Sequence, residues 1–315
     1  MIRLEEQYAI RAEATGGVRQ SLEALLAIRG RSYRKALKRC RRQFSEKSVH
    51  ALRVEIRRIL SMLALIAAAS RHDEIATLER ELKDRLKSLS RLRDTQVQLD
   101  AVGKMLRDEP ALERFHDWLR CKERRSIKRL RGELAQVRAG KTGRRIEGLS
   151  GNLREFVGRG NEREDLEQRL VGATAEAFEM VMARYGPTGP RDLATIHRVR
   201  LAFKKFRYMA EALARVVPGL ITDRRLRAMR SYQKRVGEIQ DVEVLLARFK
   251  KFTKKEESDK RLCEGFRDKL LGRRARLVKR FLNSADRLPE FWPIQPRRHS
   301  ITRSSIKPDI HAIKV

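Results

Sequence analysis

Two motifs in this chain recur at one fixed offset, and that recurrence limits the fold more than any other feature. The segment VHALRVEIRR (Val49 to Arg58) matches IHRVRLAFKK (Ile196 to Lys205), pairing His50 with His197, Arg53 with Arg200, Arg57 with Lys204 and Arg58 with Lys205. Downstream, RLRDTQVQL (Arg91 to Leu99) matches EIQDVEVLL (Glu238 to Leu246), pairing Asp94 with Asp241. The offset is 147 residues in both cases (197 − 50 and 241 − 94). A looser third match sets KERRSIKRL (Lys122 to Leu130) against RRARLVKRF (Arg273 to Phe281) at offset 151 (273 − 122), so four residues were gained between, with KKFTKKEESDK (Lys250 to Lys260) the place for them. Self-similarity over such a period marks a duplicated structural unit.

What the unit is made of follows from composition. Ala, Leu, Arg, Glu and Lys dominate, charged residues make up 37% and aromatics only 6%, which is the usage of helix bundles rather than of sandwiches or barrels. With 41% hydrophobic residues over 315 positions, the chain can bury a sizeable core and is no disordered polycation. The expected fold is therefore all-α: two pseudo-symmetric helical bundles of about four helices each. The boundaries read as residues 1–140 for the first half, a glycine-rich basic linker over 141–163, residues 164–290 for the second half, and a Pro-rich basic tail over 291–315.

Local signals fill in the helices. One runs through Leu22, Leu25 and Leu26 until Gly30, and a second, basic one from Tyr33 to Phe44. Ser48 is the expected N-cap of a helix over about Val49 to Ala69, because its hydroxyl can accept from the orphan amides of the first turn. Further helices are expected at about Asp73 to Leu106 and Glu109 to Val137, with Pro110 tolerated in a first turn. Seven of the 18 glycines fall between Gly132 and Gly160, which predicts a linker with at most short helical pieces. Helices resume near Glu164, break at YGPTGP (Tyr185 to Pro190) and at Pro218-Gly219, and end near Leu288. Four of the eight prolines follow residue 288, so the tail is expected to be extended or disordered.

Charge narrows the partner. Lys plus Arg number 74 against 41 Asp plus Glu, a net +33, far above the magnitude of about 2 to 8 that solubility alone asks of a small domain. So large an excess repels itself unless an anion is usually near: nucleic acid, an anionic membrane surface or a polyphosphate. Three scattered cysteines, Cys40, Cys121 and Cys263, form neither a disulfide framework nor a zinc pattern, and a reducing cytoplasm fits. No membrane insertion is expected, since the longest apolar run, Met62 to Ala69, falls far short of the ~18 residues of a membrane helix. The acidic start MIRLEEQYAI has no signal-peptide pattern.

At ~100° per residue, with His50 at zero, Arg53 and Arg57 lie near ~300° and ~340°, while Leu52, Ile56, Ile59 and Leu63 cluster at roughly 180° to 240°. The polar residues form one stripe beside the apolar face. His197, Arg200 and Lys204 take the same angles in the second copy, and Arg207, Tyr208 and Glu211 prolong it. Donors at i, i+3 and i+7 stand about one turn apart, so a linear phosphate chain along the helix can meet them in succession. Arginine offers a planar fork for phosphate oxygens, and histidine a donor whose charge rises beside an anion.

His-x-x-Arg with a basic residue seven positions on, the Arg207-Tyr208 pair, and D-x-x-V at Asp94 to Val97 and Asp241 to Val244 together resemble the CHAD family, named for a conserved histidine α-helical domain. The resemblance spans roughly residues 15 to 290. It implies two pseudo-symmetric four-helix bundles that bind inorganic polyphosphate along a basic channel; binding without hydrolysis is expected, in the cytoplasm and in association with polyphosphate granules. Relatives also occur fused to a CYTH triphosphatase domain, whose E-x-E-x-K motif is not found here, so the chain reads as a stand-alone copy.

The candidate polyphosphate-binding residues are thus His50, Arg53, Arg57, Arg58, His197, Arg200, Lys204, Lys205, Arg207 and Tyr208. Lys83 and Lys87, matched at the same offset by Arg230 and Lys234, are secondary candidates. Asp94 and Asp241 are expected to orient stripe arginines. No catalytic residue, metal ligand or cofactor is expected. Arg34, Lys35, Lys38, Arg41 and Arg42 read as a solvated face. Three other functions compete. A non-specific nucleic-acid binder fits the charge, although the few aromatics stand at core spacing rather than in a stacking series. A metal-dependent phosphohydrolase could use the His72-Asp73 dipeptide, but its counterparts at the common offset are Gly219 and Leu220. The third is a purely structural scaffold.

Overall fold

The computed structural model describes residues 17–69, 73–137, 139–151, 162–186, 192–254 and 260–292. The described chain is helical throughout, with no strand. The first half contributes α1 (Val18–Gln43), α2 (Glu46–Ala69), α3 (Asp73–Gly103), a short 3₁₀ turn at Pro110–Leu112, α4 (Glu113–Ala135) and α5 (Ala139–Gly151). The second contributes α6 (Glu162–Tyr185), α7 (Leu193–Val216), α8 (Asp223–Thr253), α9 (Lys260–Leu282) and a 3₁₀ segment, Ala285–Phe291.

Several boundaries differ from the sequence reading for identifiable reasons. Helix α2 starts three residues earlier than expected because Ser45, not Ser48, caps it: the Ser48 amide donates to Ser45 Oγ at 3.3 Å, the N-cap to N3 geometry. Gly30 does not end a helix. It lies buried inside α1, and Ala139–Gly151, within the stretch read mainly as linker, is the helix that packs across it. A Cβ at Gly30 would stand 2.5 Å from Glu147 Cγ and 2.9 Å from the Gly143 carbonyl oxygen. The glycines there serve helix crossing rather than chain reversal. A Gly30→Val variant should accordingly lose about 1–3 kcal/mol of stability by overpacking, read as a lower midpoint in chemical denaturation; an unchanged midpoint would contradict the close crossing.

Two stops are as expected. Gly186 ends α6 at φ +73° and Gly219 follows α7 at φ +86°, left-handed conformations that glycine adopts without penalty. At the C-terminus, Phe291 and Trp292 belong to the core and not to a loose tail: Trp292 meets Phe206 edge-on at 5.7 Å, and Phe291 stands 5.4 Å from Phe203. Residues 293–315 lie outside the described residues.

The two halves share one apolar core. Leu26, Ile59 and Leu82 of the first half are buried in the same cluster as Val181, Phe203, Met209 and Tyr232 of the second, each such side chain contributing about 1.5–3 kcal/mol. A smaller second cluster joins Val102, Phe115 and Leu119 to Phe249, Phe252 and Phe266. The 31-residue helices α3 and α8 run from the first cluster to the second. Between the clusters, α3 places Thr95, Gln96 and Gln98 in the interior, next to Asp94.

Candidate polyanion-binding site

Helices α2 and α7 pack directly on each other, so the two stripes that the repeat encodes face one another. Together with α3 and α8 they border a half-open cavity of about 240 Å³ lined by Arg53, Arg57, Ser90, Asp94, Val97, Gln98, His197, Arg200, Lys204, Gln240, Asp241 and Val244. At ~30 Å³ per water molecule, that is room for a short run of phosphate-sized groups.

The cations of this cavity are unusual in what they lack. Arg53 is 8% exposed, its side chain makes one hydrogen bond among the described residues, from Nη2 to Ser90 Oγ at 3.3 Å, and its Nε is buried with no described partner. The side chains of Arg57, Arg200 and Lys204 take part in no hydrogen bond or ion pair among the described residues, although the Arg57 carbonyl accepts from Ser61 Oγ at 2.9 Å. Burial draws the Arg53 guanidinium down to about 10, helped by Arg57 and resisted by Asp94. Burial also lowers Arg200, with Asp241 opposing. Lys204 is pushed furthest, to about 6, first by burial and then by the positive charges of Arg57, Arg200, Arg53 and Arg207. Asp241 answers in the other direction: desolvation at the cavity wall raises its carboxyl, although Arg200 pulls it back. Gln98 is 2% exposed with both ends of its amide unpartnered. Buried polar groups in proteins are nearly always satisfied, so Arg53 Nε and the Gln98 amide are available here for further hydrogen bonds.

The remaining stripe residues are occupied or lie apart. Arg58 pairs with Glu55 at 2.5 Å, and Lys205 is exposed outside the cavity wall. Arg207 is buried, donates to Gln233 and Glu211 at 2.6 Å each, and stacks over the Tyr208 ring at 4.0 Å; rather than prolonging the stripe, it ties α7 to α8. His197 lines the cavity and its Nδ1 meets Gln240 Oε1. His50 is exposed outside the lining, lowered by desolvation and by Arg93, Arg53 and Arg57. Among the secondary candidates, Lys83 pairs with Glu79 and Arg230 with Glu211, both at 2.7 Å, while Lys87 and Lys234 are exposed. Asp94 and Asp241 do face the stripe cations.

Sequence reasoning missed Ser90, Gln98, Gln240 and Arg248. Gln240 was within reach, since it stands at the common offset from Arg93 (240 − 93 = 147). Arg248, whose Nη1 donates to Thr95 Oγ1 at 2.6 Å and whose charge meets Asp94, has Ala101 as its counterpart and left no repeat signal. His72 of the HD dipeptide lies outside the described residues, and Asp73 opens α3 on the exposed surface. No described helix is long and apolar enough to cross a membrane.

Comparison with known proteins agrees with this architecture. The chain matches a solved CHAD domain from the plant Ricinus communis with a TM-score of 0.67 at 16% identity, covering 89% of this chain and 93% of that one. It also matches PptA from Streptomyces chartreusis with a TM-score of 0.60 at 14% identity, covering 86% of this chain and all (100%) of that one. At such identities the likeness establishes the fold alone. No curated protein matches the sequence. The family model for the CHAD domain, however, matches residues 24–250, well over half of the chain and both copies of the His-x-x-Arg stripe. The chain is therefore a member of the CHAD-domain family.

Proposed function

We propose that this protein binds inorganic polyphosphate, without cleaving it, at the cavity between α2, α7, α3 and α8. The observation that carries the reading is the set of unpaired cations: the side chains of Arg57, Arg200 and Lys204 converge from both halves on one half-open cavity with no described carboxylate in ion-pair contact. Charge-assisted hydrogen bonds to phosphate oxygens would satisfy them, and such bonds are roughly twice as strong as neutral ones. Gln98 and the Arg53 Nε supply further donors. The two aspartates limit how much negative charge the site accepts at any one point, which suits a chain of singly charged phosphates. Duplex DNA is a poorer match, because its major groove alone is ~12 Å wide and a 240 Å³ cavity takes in no duplex. Polyphosphate granules of the cytoplasm are the expected place of action.

Competition binding of long-chain polyphosphate, duplex DNA and heparin tests the reading. With three to four phosphates neutralised, polyphosphate affinity should fall roughly a hundredfold between ~50 and ~200 mM salt, by counterion release, and polyphosphate should outcompete DNA of equal charge. Equal affinity for DNA would favour a general nucleic-acid binder. Metal-dependent release of orthophosphate would favour the hydrolase.

A further inference from the structure

The pseudo-symmetry of the cavity is broken at one informative position. Arg57 of α2 and Lys204 of α7 are mates in the repeat and line the same cavity. An arginine stays charged at any physiological pH, whereas a lysine in a desolvated place can surrender its proton. We infer that Lys204 is the proton-uptake residue of this site, uncharged in the empty cavity near neutral pH and charged when a polyanion enters.

The surroundings of Lys204 argue for it from every side. From α2 come Arg53 and Arg57; on α7 itself stand Arg200, Arg207 and His197; from α3 and α8 come Asp94 and Asp241. Helices α1 and α6 also pack on α7 but line no part of the cavity. Guanidiniums thus crowd the ammonium, and neither aspartate comes within ion-pair distance of it. Burial and these charges hold it near 6 in the free protein. A bound phosphate chain offsets both influences, since it brings negative charge and hydrogen-bond acceptors into direct contact with an amine that otherwise touches neither. Binding and protonation are then linked: the anion raises the lysine's proton affinity, and by reciprocity the proton raises affinity for the anion. The empty cavity in this way avoids holding a fourth unpaired positive charge.

This inference rests on the proposed polyphosphate site, and calorimetry separates the two. Titration with long-chain polyphosphate, whose end groups are few, at about pH 7.5 in buffers of different ionisation enthalpy reads the protons taken up. The wild type should take up close to one proton per site, and its affinity should fall by up to tenfold per pH unit above neutrality. Lys204→Arg, permanently charged, should take up none and bind more tightly than the wild type at pH 8.5. Binding without proton uptake in the wild type would overturn the inference and leave the polyphosphate site standing. Uptake that survives Lys204→Arg would overturn it too. Absence of any binding would remove both.

Discussion

Alanine at Arg53, Arg57, Arg200 and Lys204 together should weaken polyphosphate binding by about three orders of magnitude or more. Each side chain offers charge-assisted hydrogen bonds that contribute about 1.5–3 kcal/mol; even with strong non-additivity a loss of ~4 kcal/mol remains, and every ~1.4 kcal/mol is tenfold. The four are a small part of 74 basic residues, so a mechanism governed by net charge predicts a far smaller change. The structure also chooses the control. Arg34 and Arg41 of α1 are unsuitable, because Arg34 pairs with Glu147 at 2.6 Å and Arg41 donates to the carbonyls of Leu134 and Val137 at the end of α4. Lys35, Lys38, Arg39 and Arg42 are exposed and without described partners, and alanine there should cost less than about tenfold. Affinity from fluorescence anisotropy, with melting curves to verify folding, decides the matter. Equal weakening by both sets would make the stripe ordinary surface charge.

Lys204→Met should separate stability from function. Holding the Lys204 amine without its proton costs the free protein stability near pH 7, because the unfolded chain keeps that amine protonated, and an apolar side chain of similar volume carries no such cost. The variant should melt higher than the wild type near pH 7 while binding polyphosphate at least tenfold more weakly. The pH dependence carries its own signature. With Lys204 near 6 in the folded protein and 10.5 as its ordinary value, the unfolded chain binds more protons than the folded one between those limits. Stability of the free wild type therefore rises with pH through that window, and is lowest below about 6, where the folded protein must carry the charge. Lys204→Met should lack this rise. A variant that melts lower at neutral pH with an unchanged pH profile would show that the amine already has a stabilising partner.

The comparison between Lys204 and Arg58 shows how far sequence reasoning reaches. Both are basic residues of the duplicated motif, and spacing alone gives them similar standing. One faces a half-open cavity with no carboxylate in contact; the other sits against Glu55. Arg207 went the same way, drawn into a pair with Glu211 and Gln233. Helical angle tells which side of a helix a residue occupies, but not which residues of other helices will be within 3 Å of it.

Some features were fixed by the chain's own periodicity. An all-helical fold, the pairing of His50 with His197 and Asp94 with Asp241, and the presence of a basic stripe beside each apolar face all follow from local spacing, because 3.6 residues per turn converts sequence positions into faces without reference to the rest of the molecule. Tertiary structure decided everything that depends on two faces meeting. It joined the cores of the halves into one, passed Gly30 against Gly143 so that α5 could pack on α1, and left Arg57, Arg200 and Lys204 unpaired while neutralising Arg58, Arg207 and Arg230. Burial and distance set these outcomes, since an electrostatic interaction scales with separation and local polarity, and neither quantity is written in the order of residues along a single helix.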